Sequence, residues 1–282
     1  IQRHFELASG RHVNAVHQTC HERNHGGHRI SLHGVVQLDG WRQGGAAGWG
    51  WGDVLPYFTR AEDHYAGADA FHGAGGEIRV EQQRLRWEIL EAFQSAAAEY
   101  GVPPVADFNR GDNEGSSLFD VTQRGGWRWS AADAFLKPVR SRANLKVVTG
   151  ALVDRVVIEQ GRAVGIAYRL GNEERVARAS GEILLAAVAI GSPAILERSG
   201  IGDAARLAAL GIAPLIDRPE VGGNLQDHLQ LRCAFRIKDA ATMNIRAASL
   251  IGKAMIGLEY MLRRTGPMAM APSQLGMFVK SD

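Results

Sequence analysis

Three stretches of this 282-residue chain place chemistry-bearing residue types at spacings that a metal, an ion or a reaction would use. His21 to His25 (HERNH) matches H-E-x-x-H, which on a helix sets two zinc ligands one turn apart with Glu22 as base. A zinc metalloprotease is the remote reading. The flanks are polar, Gly26-Gly27 would end such a helix at once, and no third ligand is placed. Asp107, Asn109 and Asp112 loosely resemble the ligands of a calcium loop. The sixth position is not the required Gly and no Glu stands at the twelfth, so a solvated loop is expected. His228, in NLQDH, has the near-neutral pKa of a general base. Judged by site chemistry rather than by residue type, a structural or supporting role is expected for it. No metal site is expected.

A fourth feature is poorer in reactive groups and more informative. The apolar run Ile183 to Ala187 leads into small residues, Ala186 to Gly191, and then Ser192-Pro193. Continuous apolar character fits a strand buried on both faces of a parallel sheet. Small residues let a large planar cofactor approach the backbone. Pro193 is suited to the first position of a helix, so the pattern predicts a helix starting at Ser192-Pro193.

The flanking elements follow from periodicity. Strands are expected at about 145–149, 151–158, 163–170 and 174–179; Gly161 and Gly171 make the last three a β-meander. Trp49 to Arg60 reads as a loop entering a short helix, with Asp53 near its N-cap, and Glu77 to Glu81 as a strand. Trp87 to Tyr100 predicts a helix with Ile89, Leu90, Phe93 and Ala97 on one face, ended by Gly101 and Pro103. Ser130 to Asp133 is a capping-box start, and Ser249 to Leu262 an amphipathic helix. Leu229 to Ile237 alternates as the first strand of a second sheet. Residues 1–37 hold seven of the ten histidines and show no clean period.

Composition narrows the class. Apolar content of 45% allows a core of one large or two small domains. The 34 glycines exceed the usual ~7% and fit a turn-rich α/β protein. A net charge of +2 with no basic stripe argues against a nucleic-acid partner. No apolar run approaches the ~20 residues of a membrane span. Cys20 and Cys233 suggest no disulfide framework. The expected setting is cytoplasmic, or peripheral to an inner membrane.

Several segments together resemble the glucose–methanol–choline (GMC) oxidoreductases. GWGWGDVLPYFTRAED (Gly48 to Asp63) resembles that family's flavin-covering segment, and RGGWRWSAADAFLKPVRSRANL (Arg124 to Leu145) its G-x-R-x-S…A-F-L-x-P…R-x-N-L signature. The stretch Asn144 to His228 resembles the return of the chain to the flavin-binding sheet, and GPMAMAPSQLGMFVKSD the choline and aliphatic-alcohol dehydrogenase branch. The resemblance covers about residues 38–282 and implies a division. Residues 1–37 are atypical and not native to the fold, 38–75 a flavin-covering lid, 76–106 and 229–282 parts of an antiparallel-sheet substrate domain, and 107–228 part of a Rossmann-like FAD-binding domain. It implies FAD as cofactor and a small alcohol as substrate, choline-like or aliphatic, with the electron acceptor open. Cofactor contacts are implied at Val153 (through its backbone), Ala187, Val188, Ala189 and Trp49. The family usually has Gly where Val188 stands. No G-x-G-x-x-G lies near residue 1 and no segment matches the family's catalytic histidine. The expectation is a central fragment with no catalytic residue of its own and no turnover; the alternative is a non-catalytic fragment that binds no cofactor.

Overall fold

A computed structural model describes residues 2–8, 12–18, 32–110, 114–227, 231–271 and 273–279. The chain divides into two compact units, one of Ile1–Glu22 with Val139–Cys233, the other of Arg23–Pro138 with Ala234–Asp282. These boundaries fall near 139 and 233 rather than at 107 and 229. The architecture is α/β.

The first unit contains a four-stranded sheet in the order Ile183–Ala186, His12–Gln18, Gln2–Ala8, Leu145–Thr149. Ile183–Ala186 runs parallel to His12–Gln18, with Ile183 opposite Asn14 and Ala186 opposite His17, and the other two pairings are antiparallel. The segment before residue 38, expected to lie outside the fold, supplies two of these strands. Backbone pairing, not side-chain periodicity, places it there. Ile183–Ala186 is also not buried on both faces: Leu184 is 51% exposed while Ile183 and Leu185 face the core.

The expected meander is present as Ala151–Glu159, Arg162–Leu170 and Glu173–Arg178, antiparallel throughout. Gly161 and Gly171 take φ of 74° and 62° in its turns, a conformation that costs glycine little. Ala151–Glu159 buries Ala151 and Val153 in alternation and, after a register shift near Asp154, Val156. Val153 and Val156 pack with Ile166, Ala187 and Ile195, ringed by Ile158, Tyr168, Ile183 and Leu185.

The helix after Ile183–Ala186 spans Val188–Arg198, so it begins four residues before Ser192 and holds Pro193 inside. Pro193 is the sixth residue of this helix, so it has no N–H to give the Ala189 carbonyl. Ser192 serves differently: its Oγ accepts from the Ala187 N–H at 2.9 Å. The helix is fastened to the meander where the Val156 N–H donates to Ser199 Oγ at 2.8 Å and Arg198 Nε donates to the Asp154 carbonyl at 2.8 Å.

The second unit is built from short sheets and helices. Helix Trp51–Ala61 starts where Asp53 accepts from the Gly50 N–H at 3.0 Å. Glu62–His64 pairs in parallel with Ile78–Val80, and Gly115–Leu118 pairs antiparallel with Leu275–Phe278. Helix Glu88–Glu99 buries Ala97 but leaves Phe93 exposed. The expected capping box is present: the Ser130 N–H donates to Asp133 Oδ2 at 3.0 Å, and the Asp133 N–H to Ser130 Oγ at 3.3 Å. Helix Leu250–Arg263 is capped by Ser249, whose Oγ accepts from the Gly252 N–H at 3.0 Å. Residues 231–237 form no strand. Their alternation has no neighbouring strand to pair with among the described residues, and Phe235 is 84% exposed. No described helix is long and apolar enough to cross a membrane.

Candidate functional site

The end of Ile183–Ala186 and the start of Val188–Arg198 make a corner where backbone, not side chains, is presented. Ala187 is fully buried at 0% exposure, and Val153 at 2% lies in the same cluster. Val188 and Ala189 follow on the exposed side, Val188 at 48%. The helix has no side-chain cap at Ala187. Its first-turn N–H groups lack intrahelical acceptors and carry the positive end of the helix dipole. Such a corner accepts an electron-rich group at its amides.

Val188 sits there with φ of +58°. A β-branched side chain in the left-handed region is a steric outlier, since Cβ crowds the following carbonyl. The conformation suits glycine, and the valine methyls stand exposed where a ligand would approach the turn.

Of the five residues singled out from the sequence, the fold joins Val153 and Ala187 in one cluster and sets Val188 and Ala189 beside it. The side chains of Val153 and Ala187 point into the core, which leaves only their backbone for a ligand. The Val153 carbonyl already accepts from Arg198 Nη2 at 3.3 Å. Trp49 belongs to the second unit, where its ring meets Trp41 edge-on at 6.4 Å. His228, the HERNH segment and Asp112 lie outside the described residues.

The second unit holds a titratable cluster that the sequence did not disclose. The His72 side chain is 2% exposed and lies between two carboxylates. Its Nδ1 is 3.0 Å from Glu62 Oε2 and its Nε2 is 2.8 Å from Asp107 Oδ2. The Nε2–Oδ2 pair is off the hydrogen-bond line, so charge rather than alignment holds it. The His64 ring stacks on His72 at 4.1 Å and 22°, with its Nε2 3.4 Å from Asp120 Oδ2. Asp107 and then Glu62 raise the His72 pKa to about 9, against burial, which lowers it. Burial pushes the Asp107 carboxyl up, but His72 and the Asn109 amide hold it well below the usual carboxylate range. Asp107 is therefore a buried ion-pair partner, not part of a solvated loop. Gly73, next to His72, admits no side chain: a Cβ there would lie 1.6 Å from the Thr59 carbonyl oxygen.

One ligand atom each from His64, His72 and Asp107 falls within 4.8 Å of the others, a spacing suited to a metal ion. The ring nitrogens are otherwise engaged. His72 uses both on carboxylates, and His64 Nδ1 accepts from the Ala66 N–H at 3.3 Å while Nε2 faces Asp120. Stacked rings also direct their in-plane lone pairs along separate, nearly parallel planes. The arrangement is that of a buried imidazolium clip. His72 and its partner Asp107 are remote in sequence, and no local pattern links the two.

The GMC oxidoreductase family model matches residues 35–230. The mitochondrial choline dehydrogenase of Homo sapiens is 39% identical over 262 residues, 89% of this chain and 43% of its own length. An oxygen-dependent choline dehydrogenase of Brucella ovis is 37% identical over 258 residues, 89% of this chain and 47% of its own. Among solved structures, an FAD-dependent oxidoreductase from Chaetomium thermophilum superposes with a TM-score of 0.74 at 26% identity, covering 84% of this chain and 44% of that one. The chain thus spans about half the length of the curated relatives it matches. With a family model matched across most of its length, over the strand–helix corner and the meander alike, this chain belongs to the GMC oxidoreductase family.

Proposed function

We propose that this chain is the central part of an FAD-dependent oxidoreductase that dehydrogenates a small primary alcohol, choline-like or aliphatic. The observation that carries the reading is the corner at Ala187–Val188, where a buried strand end meets an uncapped helix start beside the adenosine-side candidate Val153. Family membership and the choline dehydrogenases among its relatives support the reaction class. The first unit would hold the nucleotide through the first-turn amides of Val188 and Ala189.

The fit is not uniform. The uncapped amides suit the cofactor, while the Val188 methyls narrow the approach. When bound, FAD supplies the hydride acceptor at N5 of its flavin, and the protein contributes orientation and exclusion of water. In this reading the chain's residues bind and position, no described residue serves as the proton-abstracting base, and the chain by itself is expected to turn over no alcohol.

Titrating the purified chain with FAD while following flavin fluorescence tests the reading, with alcohol-dependent dye reduction measured on the same sample. Saturable binding without dye reduction is expected. Dye reduction would overturn the inactivity, and absence of any FAD binding would favour the second reading, a fragment that takes no cofactor.

A further inference from the structure

Two serines fasten the helix Val188–Arg198 at its two ends. At the C-terminal end Ser199 Oγ accepts from the Val156 N–H at 2.8 Å and donates to the Ile195 carbonyl at 2.6 Å, which ties the helix to the meander. At the N-terminal end Ser192 Oγ accepts from the Ala187 N–H at 2.9 Å, and in the helical pattern the Ser192 N–H donates to the Val188 carbonyl. Ser192 therefore grips the chain on both sides of Val188. Ala187 is fully buried, and a buried N–H without an acceptor is costly.

Val188 gives that grip a second consequence. Its φ of +58° is a conformation that a β-branched residue leaves unless its surroundings hold it there. The bond from Ala187 to Ser192 closes a ring through residues 187–192 with Val188 inside, and the closure restricts the dihedrals that relaxation would turn. Those same dihedrals set where the Val188 and Ala189 N–H groups point. Ser199 carries no such load, since neither of its partners, Val156 and Ile195, has a positive φ.

We propose, resting on the FAD reading of this corner, that Ser192 is a positioning residue for the cofactor: it holds the strained turn so that the first-turn amides face the nucleotide. Titration of the purified chain with FAD, followed by flavin fluorescence, tests it, with chemical unfolding measured on the same variants. Ser192→Ala is expected to weaken FAD binding about tenfold. Ser192→Thr, which keeps an Oγ, is expected to retain most of the affinity, and Ser199→Ala to lose stability with FAD affinity unchanged. A Val188→Gly background separates positioning from support of the fold, because glycine takes the left-handed conformation at little cost. There Ser192→Ala is expected to change FAD affinity by less than about twofold. Equal loss in both backgrounds, or equal FAD affinity of S192A and the parent, would make Ser192 a fold-stabilising residue only and overturn the proposal while the FAD reading stands. A parent chain that binds no FAD would overturn both.

Discussion

The corner at Ala187–Val188 and the clip around His72 are opposite solutions to placing polarity in a fold. The corner has no titratable side chain and presents backbone amides to the outside. The clip gathers two imidazoles and three carboxylates and points them at one another. Residue chemistry alone would assign function to the clip. Its geometry shows instead a charge cluster in which Glu62, His72 and Asp107 face one another, whereas the chemically bland corner starts a helix whose first turn has no side-chain cap. Reactive residue types count toward function only where their valences are open.

That contrast is most sharply broken at His72. Replacing it with Ala leaves two partly buried carboxylates without their cation, a change that costs about 3 kcal/mol. Chemical unfolding of H72A measures it; a loss below about 1 kcal/mol would mean that the clip is not a structural charge cluster. The same group sets a pH dependence. The folded His72 pKa, about 9, lies above its ordinary 6.5. Its stabilisation is therefore fully present below 6.5 and is lost as pH rises through 9. Asp107 is depressed, so its contribution is present above the ordinary carboxylate pKa and is lost in stronger acid. The unfolding midpoint is expected to fall between pH 6.5 and 9.5 in the parent and to stay flatter over that range in His72→Gln.

Smaller effects are expected in the first unit. Ser199→Ala strands the buried Val156 N–H, at a cost of about 1–3 kcal/mol in unfolding free energy. Val188→Gly removes the steric cost of a left-handed valine, so it is expected to stabilise the fold by about 1 kcal/mol. It should also tighten FAD binding by clearing the approach. A destabilised V188G variant would show that the turn is not strained.

The sequence disclosed what depends on local periodicity. Alternation in Ala151–Glu159 and the glycines at 161 and 171 specify the meander, and Ser130 and Ser249 mark helix starts that exist. It misled where a local signal competed with context. Pro193 suits a helix start, yet the helix begins at Val188, because the preceding strand ends there and the chain turns through a left-handed residue. Leu231 to Ile237 alternates like a strand but has no pairing edge among the described residues. The strands before residue 38 are set by pairing with Leu145–Thr149 and Ile183–Ala186, which their own side-chain pattern does not encode.

Hydrogen exchange of the Val188, Ala189 and Ile190 amides, with and without FAD, tests the central claim most directly. Selective slowing of these amides on FAD addition, with His72 and its neighbours unaffected, is the result the account requires. Unchanged exchange at this corner at an FAD concentration that saturates binding elsewhere would contradict it.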